Sequence, residues 1–264
     1  PEGGRLHTTL QNEFSAFASG CRYVCGHNLI AHDLKYVGRL ILSDYTPIDT
    51  LTISPLLFPK KPYHHLLKDY KIQTEQLNDP ANDAALCMEL FFDAVEAFRQ
   101  LDDSLKAIYF ALLGIRREYI GFFDYADYAS AENAESLIRE YFSDSICMSA
   151  DLTSLISRYP VELAYCLALI SADDRYSLIP HWVNRNFPAV EYVMRALRGT
   201  PCNHCPFCLR EHDVRAGLKQ YFGYDGFRTY DGEPLHSFGK FDYGQENLIL
   251  IDSVSKRFSA CGAR

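Results

Sequence analysis

Basic charge is in short supply: 26 lysines and arginines face 34 aspartates and glutamates, for a net charge of −8. That balance excludes a broadly basic nucleic-acid surface and leaves only local patches to meet a polyanion. No apolar run reaches the roughly 18 residues of a membrane-crossing helix, so no membrane partner is expected. The opening Pro1-Glu-Gly-Gly-Arg5 lacks the charged-then-apolar pattern of a secretory leader, which makes a cytoplasmic location the expectation. It also lacks an initiator methionine, which fits a fragment. No Gly-x-x-x-x-Gly-Lys-Ser/Thr loop occurs anywhere, so nothing cradles nucleotide phosphates and no ATP site is expected. Internal repeats and low-complexity tracts are missing as well, which excludes solenoids and repeat arrays.

What remains is ordinary globular material. Hydrophobic residues make up 48% of the 264-residue chain, enough to build a core in one large or two ordinary domains. Nine cysteines form an odd, irregularly spaced set. In a chain without a secretory leader this points to reduced thiols and a metal site, not to a disulfide framework.

Residues 1–60 alternate short elements. Cys21–Cys25 reads as a strand and Asn28–Leu42 as a helix with Leu29, Leu34, Val37 and Leu40 on its apolar face; Pro47–Ile53 is a further short apolar segment. Pro55, Pro59 and Pro62 then open a loop, and residues 63–70 suit a short helix. A long helix is predicted to open at Asp79-Pro-Ala-Asn-Asp83, capped by Asn82 or a neighbour, and to run through Phe98. From 101 to 200 the pattern is helical, with breaks at Gly114, Pro160, Pro180 and Pro188. Residues 213–222 suit another short helix, residues 223–246 a connection, and Leu248–Asp252 a last buried strand.

The strongest local chemistry is Pro201-Cys-Asn-His-Cys-Pro-Phe-Cys208. Thiolates with two residues between them can reach a single tetrahedral ion at about 2.3 Å, so Cys202, Cys205 and Cys208 suit zinc. Cys166 and His212 are both candidates for the fourth ligand. An iron–sulfur cluster is the alternative for the same soft donors. Cys87 and Cys147, set among apolar residues, read as plain core thiols.

A second pattern is the ordered set Asn28, Asp33, Asn78 and Asp83. The string from Cys25 to Val37, Cys-Gly-His-Asn-Leu-Ile-Ala-His-Asp-Leu-Lys-Tyr-Val, resembles the second motif of four-carboxylate 3′–5′ exonucleases. Asp49, in Ile-Asp-Thr-Leu, falls where that family carries its next short strand. Asn78 and Asp83 fall at the third motif, with Asn78 where the family usually has a histidine. The resemblance implies a ribonuclease H-like fold, two divalent ions (Mg or Mn) held by carboxylates, and single-stranded DNA as partner. Only Asp33 and Asp83 match the four acids. The first motif, Asp-x-Glu on an opening strand, has no counterpart, and an amide at position 78 cannot take a proton as general base near neutral pH. Weak metal binding and no measurable cleavage are therefore expected.

The cysteine triplet resembles the zinc-binding region of RecQ-type helicases, and Leu218–Arg228 resembles the segment before their first ATPase motif. The tail resembles a different family. Tyr230 to Arg264 is similar to the cofactor-lysine segment of aspartate aminotransferase-class enzymes, which implies Lys256 as Schiff-base lysine for pyridoxal phosphate and Ser253, Ser255 and Arg264 as its phosphate ligands. The rest of such a pocket is missing, so the fragment is not expected to use that cofactor.

The sequence thus predicts an α/β fold: a partial ribonuclease H-like exonuclease domain over 1–100, a mainly helical domain over 101–200, a cysteine-rich metal knob with a helicase lead-in over 201–229, and an aminotransferase-like fragment over 230–264. Its expected function is that of a catalytically incomplete piece of a helicase-associated 3′–5′ exonuclease. A pyridoxal-phosphate aminotransferase and a non-catalytic zinc-stapled binding module are the alternatives.

Overall fold

The computed structural model of the chain describes residues 4–42, 44–61, 80–172, 179–198, 202 and 204–210. These fall into two compact units. The first runs to Glu132, residues 59–62 excepted; the second holds those four and everything described from Asn133 onward. The fold is mostly helical. The expected α/β character survives as a single parallel pair, the only sheet among the described residues.

In the first unit, helix α1 (Gln11–Phe17) precedes strand β1 (Tyr23–Gly26). β1 pairs in parallel with β2 (Thr46–Asp49), Tyr23 opposite Thr46 and Gly26 opposite Asp49. The stretch from Asn28 to Leu42 is not the continuous helix that its leucine spacing predicts. Asn28 sits in the left-handed region at φ 67°, and a wide π turn (Leu29–Asp33), a single turn α2 (Leu34–Val37) and a tight 3-10 turn (Gly38–Leu40) follow. Asn28 is among the residue types that tolerate that conformation, so the chain can reverse there. Helix α3 (Thr50–Leu57) starts directly after β2, with Asp49 capping it by accepting the Leu51 N–H at 3.1 Å.

Among the described residues three more helices follow in this unit: α4 (Pro80–Gln100), α5 (Asp103–Leu113) and α6 (Arg117–Tyr125). Asn82 lies inside the first turn of α4 and does not cap it. Gly114 ends α5, as its place in the sequence suggests. Helix α6 lies directly on the strand: a Cβ added at Gly121 would stand 2.3 Å from the Pro47 carbonyl oxygen, so only glycine permits the approach. This packing places α6 in the same compact unit as the strand pair. The seam is aromatic, with Phe98 meeting Phe122, Phe123 and Tyr128 edge-on at 5.4–5.7 Å between ring centres.

The second unit contains α7 (Ala134–Tyr141), α8 (Leu152–Arg158), α9 (Pro160–Ser171), α10 (His181–Asn186) and α11 (Val190–Arg198). Pro160 opens α9, where its missing N–H costs nothing, and Pro180 precedes α10. The central helix is α9: Leu163 through Leu167 are all essentially inaccessible. Such a helix, apolar all round, must be surrounded, and α8 and α11 pack against it. Asn133 and Asp151 cap α7 and α8 by accepting the N–H groups of Ser136 and Ser154 at 3.0 Å.

Candidate metal centre

The cysteine triplet is brought together, and a fourth thiol joins it. Cys147, Cys202, Cys205 and Cys208 place their sulfurs all within 4.8 Å of one another. Among the described residues no other group of His, Cys, Asp and Glu side chains gathers so closely. Among the described residues the fourth member is Cys147 and not Cys166, one of the two candidates named from the sequence. Cys166 lies on α9, fully buried, with its thiol donating to the Val190 carbonyl at 3.4 Å; burial pushes that thiol up. His212 lies outside the described residues. Cys147, predicted to be a core thiol, is buried, but in company with Cys205, Cys208 and Phe207.

Local structure accounts for the gathering. After α7 the chain turns through residues 143–150, and the Cys147 N–H donates to the carbonyl of Leu197 near the end of α11 at 2.8 Å. Arg198 then reinforces the same join, its Nε donating to the Ser145 carbonyl at 2.8 Å while its guanidinium lies 5.6 Å from the Phe207 ring centre. Arg139, ion-paired with Glu135 at 2.8 Å, donates to the carbonyls of Met148 and Ala150 and braces the far side of the turn. Across from it a short helix over 206–210 presents Cys205 and Cys208; Cys208 N–H donates to Cys205 Sγ at 3.4 Å. Arg210 adds a bond to the Asp144 carbonyl.

Electrostatics favour the deprotonated form at one corner. The His204 backbone N–H, with help from Cys205 and Cys147, lowers the half-exposed Cys202 thiol to about 5. Burial and its thiol neighbours raise Cys208. A cation supplied to the group would favour loss of that proton too.

Distance decides which metal chemistry fits. Two metal–sulfur bonds of about 2.3 Å span at most about 4.6 Å, and a regular tetrahedron sets its sulfurs about 3.8 Å apart. The observed 4.8 Å limit therefore leaves the widest pair up to about 1 Å beyond the tetrahedral spacing, a closure that side-chain rotation would supply on binding. An iron–sulfur cluster fastens its cysteines to different irons with sulfides between them, which spreads the sulfurs beyond one ion's coordination sphere. The four thiols could hold a metal ion.

The exonuclease-like residues occupy the first unit. Asp33 closes the π turn, with His32 Nδ1 2.8 Å from its Oδ1, and both side chains are well exposed. Asp83 lies in the first turn of α4. One turn further along the same helix is Cys87; α4 packs on β1 and the π turn that ends in Asp33 packs on both strands, so each acid belongs to an element that rests on the strand pair. Asn78 lies outside the described residues, as do Lys256, Ser253, Ser255 and Arg264.

Sequence reasoning gave Asp49 only a place in the motif order, and the structure gives it a role. It is 2% exposed, and its carboxylate accepts the N–H groups of Asn28 at 2.8 Å, Ile30 at 3.0 Å and Leu51 at 3.1 Å. Burial pushes its carboxyl up, the three donors oppose that, and the Asp33 charge adds to it. One buried acid thus fixes the turn that leads to Asp33. An acid closing an apolar strand ahead of Thr-Leu-Thr was the available sequence signal.

No family model matches the chain, and no curated protein or solved structure matches it either. Among the described residues no helix is long and apolar enough to cross a membrane.

Proposed function

We propose that this chain is a zinc-stapled module in which Cys147, Cys202, Cys205 and Cys208 hold one structural ion that joins the helical unit to the segment after it. The observation that supports the reading is the convergence of four thiols from two distant stretches of chain within 4.8 Å. Four cysteine ligands leave a zinc ion no open position for water or substrate, which is the arrangement of a structural and not a catalytic site. The protein side supplies the thiolates and the hydrogen bonds that orient them, while the ion supplies a cross-link. A reducing, cytoplasmic compartment would keep the thiols available. Metal analysis of the purified full chain tests the reading: one zinc per chain is expected, lost in Cys147→Ser and kept in Cys166→Ala. Equal loss in both, or no bound metal, contradicts it.

A second reading concerns the first unit, and the packing of both the π turn and α4 on the strand pair favours it. We propose that this unit is an exonuclease-like remnant of a helicase-associated nucleic-acid-processing protein. Asp33 and Asp83 would bind Mg or Mn weakly and single-stranded DNA would be its polymer, with little or no cleavage because the remaining acids are missing. Manganese-dependent shortening of a 3′-labelled single strand at an ordinary enzymatic rate would contradict the incompleteness. Failure of Asp33→Asn to alter manganese affinity would contradict the assignment.

A further inference from the structure

The four thiols of the metal group are not equally accessible. Cys147 and Cys205 are 2% exposed and Cys208 is fully buried, whereas Cys202 is partly open to solvent. The three buried sulfurs form one cluster with Phe207, and Cys202 packs against it. All four sulfurs lie within 4.8 Å of one another. Only Asn203 and His204 separate Cys202 from Cys205 along the chain. Cys147 is fixed from elsewhere: its N–H is bonded to the Leu197 carbonyl at 2.8 Å, and Arg139 holds the carbonyls of Met148 and Ala150.

We propose that this group is an oxidation-released zinc site, in which a peroxide enters at Cys202, joins it to Cys205 as a disulfide and expels the ion. The inference rests on the zinc reading of the same four thiols and adds how that site is opened. Zinc has no redox chemistry of its own and, inside four sulfurs, no open position, so the reacting atoms are the sulfurs. Cys202 Sγ attacks one peroxide oxygen, the O–O bond breaks, and the departing hydroxide takes up a proton to leave as water. Cys202 is then a sulfenic acid. Cys205 Sγ attacks that sulfur, the S–O bond breaks, and the second hydroxide leaves as water with another proton. Cys147 and Cys208 take up one proton each as the ion departs. Four thiolates with their zinc ion, one hydrogen peroxide and four protons thus give one disulfide, two thiols, a free zinc ion and two waters.

Geometry selects both the partner and the consequence. Sulfurs around one zinc stand about 3.8 Å apart, and a disulfide needs about 2.05 Å. Rotation of two side chains on one short stretch closes that gap, whereas Cys147 is tied to the end of α11. Two remaining thiols are too few to hold a structural zinc ion. The turn over 143–150 then loses its attachment through sulfur and keeps the bonds from Arg198 and Arg210.

The test uses the full chain, supplied with one equivalent of zinc and desalted, its zinc content measured before any oxidant is added. One equivalent of hydrogen peroxide follows in the presence of a chromogenic zinc indicator, and the products are alkylated and digested without reduction. One zinc per chain should appear in solution together with a cross-linked Cys202–Cys205 peptide, while Cys147 and Cys208 are recovered alkylated. Zinc retained after oxidation, zinc released with Cys147 in the disulfide, or Cys202 recovered as sulfinic acid overturns this inference and leaves the zinc reading standing. No zinc before oxidation overturns that reading and the inference with it. Cys202→His keeps four zinc donors without the accessible thiolate and should slow release about tenfold or more; release at the unaltered rate would overturn the proposal. Met148, 42% exposed beside Cys147, is the competing oxidisable sulfur. Met148→Leu should release zinc at the unaltered rate, and a fall of more than about half would move the trigger to the thioether and overturn the assignment to Cys202.

Discussion

The two units solve the same problem by different chemistry. In the first, a two-stranded sheet too small to stand alone is covered by helices that approach it closely: Gly121 lets α6 rest on the Pro47 backbone, and Phe98, Phe122 and Phe123 fill the seam. In the second, the apolar helix α9 is packed on all sides, but the turn after α7 meets the end of α11 through polar bonds and four sulfurs. The first unit is fastened by shape; at the edge of the second stand four thiols that could hold a metal ion. A fold fastened by shape should respond to lost volume, one fastened by ligation to lost metal.

The largest difference should appear on removing the metal. Zinc held by four thiolates in small domains has apparent binding energies of about 10–16 kcal/mol at neutral pH, much of it coupled to folding. Chelation, or Cys147→Ser, is therefore expected to abolish the ordered hydrogen exchange of residues 144–150 and 204–210 while leaving amides of β1 and β2 unchanged. Loss of protection in both units would erase the contrast. Next is Phe98→Ala, which should cost about 3–5 kcal/mol by emptying the aromatic seam, measured by denaturant unfolding, with zinc content unchanged. Gly121→Ala comes third. Its new carbon would collide with backbone and not with a flexible side chain, so a loss of about 1–3 kcal/mol or more is expected, again confined to the first unit.

The smallest effect concerns Asp124, which accepts from Tyr23 Oη at 2.7 Å and from Arg22 at 3.0 Å and is held below the usual carboxylate range by them. An acid with a depressed folded pKa stabilises above its unfolded value, and that contribution disappears as pH falls through the folded value. Asp124→Asn should flatten the acid side of the stability profile slightly, read by thermal unfolding between neutral and acid pH. A change of the opposite sign would place the carboxylate elsewhere.

Much of this arrangement was legible beforehand, and the parts that were not share a cause. The strand near Cys25, the helical run after 101 and the breaks at Gly114, Pro160 and Pro180 follow from local pattern, because each depends on neighbours in sequence. The cysteine triplet was legible for the same reason. Cys147 was not: its partners lie far along the chain, and by composition it resembles a buried core thiol such as Cys166. Its setting held one clue, since Ser143, Asp144 and Ser145 before it and Ser149 after it mark a turn and not an apolar helix. The broken helix after Asn28 was equally hidden, because the carboxylate that draws the Asn28 and Ile30 amides out of line is Asp49, on another strand.

Zinc-edge X-ray absorption on the full chain tests the four-thiol centre most directly. A first shell of four sulfurs at about 2.3 Å, with the zinc signal lost in Cys147→Ser, is the predicted result. A shell of three sulfurs and one nitrogen in the unaltered chain would give the fourth position to a histidine and contradict the role assigned to Cys147.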